Sequence, residues 1–299
     1  MTTRALLVLV AVLLSACATA PVASPSSTPT FTKLAAQFDY DATAPIDLLL
    51  DDSASVAGVA VRSITFASPR GGRAGALLLV PSGGGPFPAV VMMPGSNQPP
   101  LSFRPTALEV AARGAVVLIA DQSQTRSGHT PLYSFSTSER DEFVQTVVDV
   151  RRAVDLLTAR PDVDPRRVAF WGFSHGAFIG GLVAGVEPRI ASYVLQSGGG
   201  ADYLRTNAPQ RLRDPAALGA YLATVASVDP NSFIGHAAPS AVFLQNGALD
   251  TTYTAAGVAA WQAAASEPKK IATYQADHTL DAAATADALS WLASRIGTR

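Results

Sequence analysis

Residues 167–181 read Arg167-Val168-Ala169-Phe170-Trp171-Gly172-Phe173-Ser174-His175-Gly176-Ala177-Phe178-Ile179-Gly180-Gly181. The apolar run from Val168 to Trp171 is typical of a buried strand, and the run from about Ala177 to Ala184 is typical of a helix. Between them lies the pattern Gly-x-Ser-x-Gly, from Gly172 to Gly176. A sharp strand-to-helix turn strains its apex residue and crowds the flanking positions, which residues without a Cβ fit best. The pattern therefore predicts that Ser174 is held above a sheet at the N-terminal end of a helix.

The alternative interpretation of this pattern is an ordinary glycine-rich turn in which Ser174 only caps the following helix. The five residues alone do not decide the matter, because Gly and Ser are common in this chain. The strand-like run before the pattern and the helical run after it favour the strained turn, since that geometry requires both elements. We therefore expect a reactive serine at position 174.

The bulk composition limits the class of protein. The chain has 299 residues, a formal net charge of -1 and 48% hydrophobic residues, which suits one large α/β domain or two small ones. No run of Lys or Arg is present, so no nucleic-acid partner is predicted. Cys17 is the single cysteine, which excludes an intramolecular disulfide, and no two of the four histidines are spaced i, i+4. No metal site is therefore predicted.

The N-terminal residues have the pattern of a secretion signal. Arg4 precedes an apolar run from Ala5 to Leu14, which is too short to be a stable membrane anchor. The run ends in Leu14-Ser15-Ala16-Cys17, which resembles the lipobox of bacterial lipoproteins. We expect a signal peptide over residues 1–16, a lipid on Cys17 and a Pro/Ser/Thr-rich tether over 17–32. The protein would then be anchored in the cell envelope, facing the periplasm or exterior; a plain secretory signal is the alternative.

After residue 56, strand-like and helix-like runs alternate. The predicted strands are a hairpin at about 59–66 and 75–81, followed by 89–93, 115–120, 168–171, 191–196, 241–245 and 270–274; the predicted helices are 106–113, 137–159, 177–184, 255–265 and 282–296. Residues 31–54 are compatible with a helix or a loop. The alternation predicts an α/β fold with a mostly parallel central sheet flanked by helices. Functional groups are expected in the loops that follow the strands.

Two polar residues that follow predicted strands suit nucleophilic catalysis. A serine hydroxyl needs a base within hydrogen-bond reach, and that base needs an orienting acid. Asp250 and His278 each follow a strand, so we predict Ser174 as nucleophile, His278 as base and Asp250 as acid. The alternatives are that Asp250 and His278 cap the helices after them. Asp277 is a rival acid, but adjacent side chains point apart.

On these residues the chain resembles the α/β-hydrolase superfamily, in particular its dienelactone-hydrolase-like and acetyl-esterase-like members. The resemblance covers about residue 56 to the C-terminus. It rests on Gly172 to Gly176, on Asn246-Gly247-Ala248-Leu249-Asp250, and on His278 before the final helix. The resemblance implies the α/β-hydrolase fold and a hydrolase with a Ser-His-Asp triad that needs no cofactor.

The resemblance also implies a site for the oxyanion. Many members carry His-Gly after the third strand, where this chain has Pro94-Gly95-Ser96. Backbone N–H donors do not depend on the identity of the side chain, so we expect the amides of His175 and Ser96 to form the oxyanion hole. The sequence leaves open which N–H group of residues 94–97 points inward. The side chain of His175 is expected to face away from Ser174.

Residues 200–239 interrupt the alternation and contain apolar residues at spacings that suggest short helices. We predict a small helical cap over the site, inserted in a single α/β-hydrolase domain that spans residues 33–299. The alternative is an insertion without a function. A cap with an apolar lining favours small esters over charged sugars.

Together these features predict a carboxylic-ester hydrolase that acts on a small-molecule ester through an acyl-enzyme intermediate. Two alternatives remain open. One is a peptidase of the prolyl-oligopeptidase type, and the other is a non-catalytic lipoprotein that uses the same fold to bind a ligand. The sequence does not predict the oligomeric state.

Overall fold

The computed structural model describes residues 30–299. The predicted signal peptide, Cys17 and most of the predicted tether lie outside the described residues. The first helix, α1 (Phe31–Ala35), begins inside the range that was predicted as tether. Over residues 30–299, no helix combines the length and apolarity that crossing a membrane requires.

The centre of the fold is a nine-stranded sheet, and helices follow most of its strands. The strands are β1 (Leu49–Val56), β2 (Val59–Ala67), β3 (Arg73–Val80), β4 (Phe87–Met93), β5 (Val116–Ala120), β6 (Val163–Phe173), β7 (Ile190–Gln196), β8 (Ala241–Gly247) and β9 (Lys269–Tyr274). The helices after α1 are α2 (Arg104–Ala112), α3 (Glu139–Thr158), α4 (His175–Val186), α5 (Asp202–Arg211), α6 (Pro215–Ala226), α7 (Ala255–Ala264) and α8 (Ala282–Ile296).

The sheet has the spatial order β1-β2-β3-β5-β4-β6-β7-β8-β9. Pairing is antiparallel from β1 to β5 and parallel from β5 through to β9. The predicted α/β fold with a mostly parallel central sheet is therefore confirmed. Because the parallel strands all end at one edge, the loops after β4, β5, β6, β7, β8 and β9 meet there.

Helices cover both faces of the sheet and create two hydrophobic cores. Side chains alternate along a strand, so in β6 Val168 and Phe170 join the core beneath α3 and α4, whereas Ala169 and Trp171 join the core beneath α2 and α8. All four are buried. Burial on both faces explains why this strand reads as a continuous apolar run. Because β6 is packed on both faces, it is a rigid support for the turn at residues 173–175 that follows it.

The N-terminal part of the described chain contains a strand that the sequence did not predict. β1 lies at an edge of the sheet, pairs only with β2, and has no buried residue along its length. Its sequence shows no alternation, because neither face of the strand covers a core. Within residues 31–54, whose sequence is compatible with a helix or a loop, residues 31–38 form α1 and a short 3-10 turn that buries Phe38.

The segment that was predicted as a cap folds into α5, α6 and two short 3-10 turns. Tyr203 of α5 packs against Tyr133, with ring centroids 4.8 Å apart. The hydroxyl of Tyr221 in α6 donates a hydrogen bond of 2.8 Å to Glu139, at the start of α3. These contacts join the helical segment to the loop that precedes α3.

Candidate active site

A strained turn between β6 and α4 presents Ser174. Its φ is 55° and its ψ is -112°, a conformation that residues with a side chain rarely adopt. A Cβ on Gly172 would lie 2.2 Å from the carbonyl oxygen of Gly176, and one on Gly176 would lie 2.1 Å from that of Met93. The two glycines of the motif are therefore required by close contacts between main-chain atoms. The turn has the predicted geometry. The close approach of Gly176 to Met93 also brings the start of α4 against the end of β4.

The structure brings Ser174, His278 and Asp250 together at the edge where the parallel strands end. His278 Nε2 lies 2.8 Å from Ser174 Oγ, and His278 Nδ1 lies 2.8 Å from Asp250 Oδ2. The side chain of Asp250 is 3% exposed, and its Oδ1 accepts a 2.7 Å hydrogen bond from the amide of Thr252. The rival Asp277 is exposed, and its carboxylate accepts hydrogen bonds from Thr279 instead.

The hydrogen bonds define which nitrogen of His278 carries the proton. An ionised carboxylate only accepts hydrogen bonds, so Nδ1 donates to Asp250. Nε2 is then the acceptor and faces the hydroxyl of Ser174. Ser197, at the end of β7, donates its hydroxyl to the backbone carbonyl of His278 at 2.6 Å and so fixes the position of this residue. This arrangement is able to remove a proton from Ser174 and return it to a leaving group.

The two amides that were predicted to bind an oxyanion lie on either side of the strained turn. His175 is the first residue of α4, and Ser96 lies in the loop after β4 that contacts Gly176. Within residues 30–299 neither N–H group donates a hydrogen bond to another part of the protein. Both donors are therefore available to a bound oxygen.

The side chain of His175 is buried and contacts a residue that the sequence did not single out. It is 4% exposed, and its Nε2 lies 3.0 Å from the amide nitrogen of Gln124. Burial lowers the pKa of His175 to about 3, so this imidazole is neutral near pH 7. Gln124 in turn contacts the buried Gln122 in the loop after β5.

A small aromatic cavity of about 20 Å³ lies next to His175, the residue that follows Ser174, between the start of α4 and α5. It is lined by Leu132, Tyr133, Phe143, His175, Phe178, Gly200, Tyr203, Leu204 and Tyr253. Tyr253 also faces His278, with ring centroids 6.0 Å apart. Burial raises the pKa of the Tyr133 and Tyr253 hydroxyls, so both stay protonated. The cavity is therefore uncharged and largely apolar.

A buried ion cluster supports the loop after β5. Arg126 lies 2.6 Å from Asp121 and 2.7 Å from Asp149 of α3. The side chains are 12%, 14% and 2% exposed, respectively. Ser68 donates a further hydrogen bond to Asp149. The cluster anchors the loop that contains the two buried glutamines. Over residues 30–299, no group of three or more His, Cys, Asp or Glu side chains is arranged to hold a metal ion.

Comparison with known proteins gives a short sequence match and broad structural matches. No family model matches the chain. Thiohydrolase apmlB of Arthrinium phaeospermum is 35% identical over 105 residues, which are 34% of this chain and 32% of that protein. The match thus spans about a third of the length of the curated relative.

The structural matches extend over most of the chain. Acetyl xylan esterase 1 from Thermoanaerobacterium superposes with a TM-score of 0.76 at 21% identity, covering 88% of this chain and 93% of that one. An acetyl xylan esterase from Paenibacillus gives 0.72 at 15% identity, covering 89% and 93%. The α/β hydrolase GrgF from Penicillium gives 0.58 at 16% identity, covering 78% and 98%. The chain therefore has the α/β-hydrolase fold.

Proposed function

We propose that this protein is a serine hydrolase that cleaves carboxylic esters through an acyl-enzyme intermediate. The observation that carries the proposal is His278, whose two ring nitrogens lie 2.8 Å from Ser174 and 2.8 Å from Asp250. A base next to a serine hydroxyl, with an acid that orients the base, is the arrangement that activates serine as a nucleophile, and these two distances support it. The names of the similar proteins, acetyl xylan esterases and a thiohydrolase, support the same class of reaction.

In the proposed reaction, Ser174 Oγ attacks the ester carbonyl while His278 Nε2 takes its proton. The carbonyl carbon becomes tetrahedral, and its oxygen gains negative charge near the amides of His175 and Ser96. His278 then gives the proton to the departing alcohol, which leaves an ester on Ser174. Water, activated by His278, hydrolyses that ester and restores the hydroxyl. Each amide that binds the oxyanion contributes about 3 kcal/mol to the stabilisation of the transition state.

The aromatic cavity supports a preference for short acyl groups. Its volume of about 20 Å³ is close to the space for one water molecule, and aromatic side chains form most of its wall. Tyr203 and Leu204 of α5 close it on the side of the helical segment. We therefore propose that the methyl group of an acetyl ester enters this cavity and that longer acyl chains are excluded. The alcohol portion of the ester would extend toward solvent.

A covalent probe and one substitution test the proposed reaction. A fluorophosphonate should label Ser174 in the folded protein, and Ser174→Ala should lower kcat for p-nitrophenyl acetate by up to about a millionfold. Ser290→Ala is the matched control. This substitution removes the same hydroxyl group from an exposed residue of α8, outside the site. Unlabelled wild type would favour the non-catalytic alternative. Turnover that survives in Ser174→Ala would refute the assigned nucleophile.

A substrate series separates the remaining alternatives. Rates with p-nitrophenyl acetate, butyrate and octanoate measure the preference for chain length, and an acetyl thioester tests the activity that the name of the matched relative suggests. A prolyl peptide anilide tests the peptidase alternative. We expect acetate to give the highest kcat/KM and the anilide to give no turnover. Faster cleavage of octanoate would contradict the small acyl cavity.

We also propose, from the sequence alone, that Cys17 carries a lipid that attaches the protein to the cell envelope. Two or more acyl chains give stable attachment, whereas one does not. Growth with a clickable fatty acid should label the wild type in the membrane fraction and leave Cys17→Ser unlabelled. An unlabelled wild type would leave plain secretion as the explanation of the N-terminal pattern.

A further inference from the structure

We propose that Gln122 is a positioning residue that, together with Gln124, holds both amide donors of the oxyanion hole in place. This inference rests on the proposed function, because it assigns a role in binding the oxyanion that forms during ester cleavage. Among the described residues, neither glutamine forms a hydrogen bond with Ser174, His278 or Asp250. Their effect would be exerted through the backbone of Ser96 and through the side chain of His175.

Gln122 fixes the loop that contains Ser96. Its Nε2 donates hydrogen bonds to the carbonyl oxygens of Pro94, at 3.2 Å, and Gly95, at 2.7 Å. The side chain is completely buried. The C=O of Gly95 and the N–H of Ser96 belong to one planar, trans peptide group, so they point in opposite directions. By holding the carbonyl of Gly95, Gln122 keeps the N–H of Ser96 turned the other way, without an acceptor among the residues described.

Gln124 connects this loop to the residue after the nucleophile. Its Nε2 donates to Gln122 Oε1 at 2.9 Å and lies 3.0 Å from His175 Nε2. The hydroxyl of Thr146 lies 3.5 Å from Gln124 Oε1, which is consistent with the amide orientation in which the nitrogen faces His175. A continuous series of side-chain hydrogen bonds therefore runs from the loop after β4 to the first residue of α4.

The series has one consistent direction of donation. The amide of Gln122 uses both N–H groups on two carbonyls, so its oxygen is free to accept from Gln124. The amide of Gln124 then uses its two N–H groups on Gln122 and His175. The last acceptor is a neutral imidazole, a state that the burial of His175 favours. A carboxylate at position 122 only accepts hydrogen bonds, so it would place negative oxygens against the carbonyl oxygens of Pro94 and Gly95.

The test compares Gln122→Glu with Gln210→Glu. Gln210 is an exposed residue near the end of α5. Glutamate at position 210 adds the same charge to the protein, away from the loop that carries Ser96. We expect Gln122→Glu to lower kcat for p-nitrophenyl acetate by about a hundredfold at nearly constant KM, as loss of one oxyanion donor does. Gln210→Glu should stay near the wild-type rate.

Two outcomes would overturn the inference while the proposed function stands. One is a folded Gln122→Glu protein that keeps the wild-type kcat. The other is a variant that raises KM alone, which would indicate a role in binding the substrate rather than the transition state. Failure of the proposed function is distinguishable, because then the wild type itself would neither turn over the ester nor be labelled by the fluorophosphonate.

A measurement on the wild type decides the matter even if Gln122→Glu does not fold. In a crystal structure of the phosphonylated protein, the phosphonyl oxygen should lie 2.7–3.1 Å from the backbone nitrogens of Ser96 and His175. Gln122 should still hold the carbonyl of Gly95. An oxygen bound elsewhere, with the N–H of Ser96 turned away, would overturn the inference.

Discussion

Replacement of Gly176 by alanine tests how tightly the turn around Ser174 is built. A Cβ at this position would lie 2.1 Å from the carbonyl oxygen of Met93 and 3.0 Å from that of Pro94. Ordinary contacts of this kind begin at 3.4 Å, so the end of β4 and the start of α4 would have to separate by about 1 Å. Both partners are main-chain carbonyl oxygens, so rotation of a side chain cannot relieve the clash.

The expected effects follow from the size of that displacement. Overpacking of a well-packed site costs about 1–3 kcal/mol of unfolding free energy, and we expect Gly176→Ala to lie at the upper end because no side chain is able to adjust. The displaced segment continues into the loop that carries Ser96. A shift of about 1 Å in a group that contacts the transition state costs about a hundredfold in rate, which we expect in kcat/KM for p-nitrophenyl acetate.

Gly219→Ala provides the matched control. Gly219 is an exposed residue of α6, and no atom lies within 4 Å of the Cβ that would be added. Alanine there should raise the unfolding free energy by about 0.5–1 kcal/mol through helix propensity and leave turnover unchanged. Urea denaturation and ester turnover of both variants are the assay. A Gly176→Ala protein with wild-type stability and wild-type rate would refute the steric reasoning.

The ion cluster around Arg126, the buried imidazole of His175 and the aromatic cavity should each respond to a single substitution. Arg126→Met should lower the unfolding free energy by about 3–5 kcal/mol, because it leaves the buried carboxylate of Asp149 and the partly buried carboxylate of Asp121 without their cation. Arg166→Met, at a side chain that is 87% exposed, should change the unfolding free energy by less than about 0.5 kcal/mol, and urea denaturation of both variants measures the difference. Burial lowers the pKa of His175 to about 3, whereas in the unfolded chain this imidazole binds a proton below about pH 6.5. The unfolding free energy of the wild type should therefore fall by about 2 kcal/mol between pH 6.5 and pH 5 because of this group. Urea denaturation of His175→Gln should show a smaller loss of stability over that pH range, and an equal loss would contradict the prediction. Leu204→Ala should enlarge the aromatic cavity and raise the ratio of kcat/KM for butyrate to that for acetate by about tenfold, and an unchanged ratio would place the acyl group elsewhere.

The elements that surround the candidate site were predictable because their signals are local. The apolar run before Ser174 and the glycines around it reflect burial on two faces and a close contact of main-chain atoms, and both constraints act on neighbouring residues. The bounds of α8 agree with the predicted helix for the same reason, since its apolar positions repeat at the period of a helix. The convergence of Asp250 and His278 on Ser174 followed from a topological rule, namely that parallel strands end at one edge.

The parts that sequence reasoning missed depend on contacts between distant residues. Gln122 and Gln124 lie in a polar stretch that reads as a solvated loop, yet both are buried in the structure. No local pattern distinguishes an exposed glutamine from one whose amide satisfies two carbonyls 27 and 28 residues away. β1 escaped prediction for the opposite reason: it is exposed on both faces, so its residues carry no periodic pattern.

The position of β9 at the rim of the sheet has a consequence for the way in which activity would be lost. This strand pairs only with β8, none of its residues is fully buried, and His278 follows it directly. Outer strands with few buried contacts open more readily than central ones. Fraying of β9 would move the imidazole of His278 away while β6 still holds the hydroxyl of Ser174 in its strained turn. On heating, hydrolysis would therefore cease at a temperature at which circular dichroism still reports an intact central sheet.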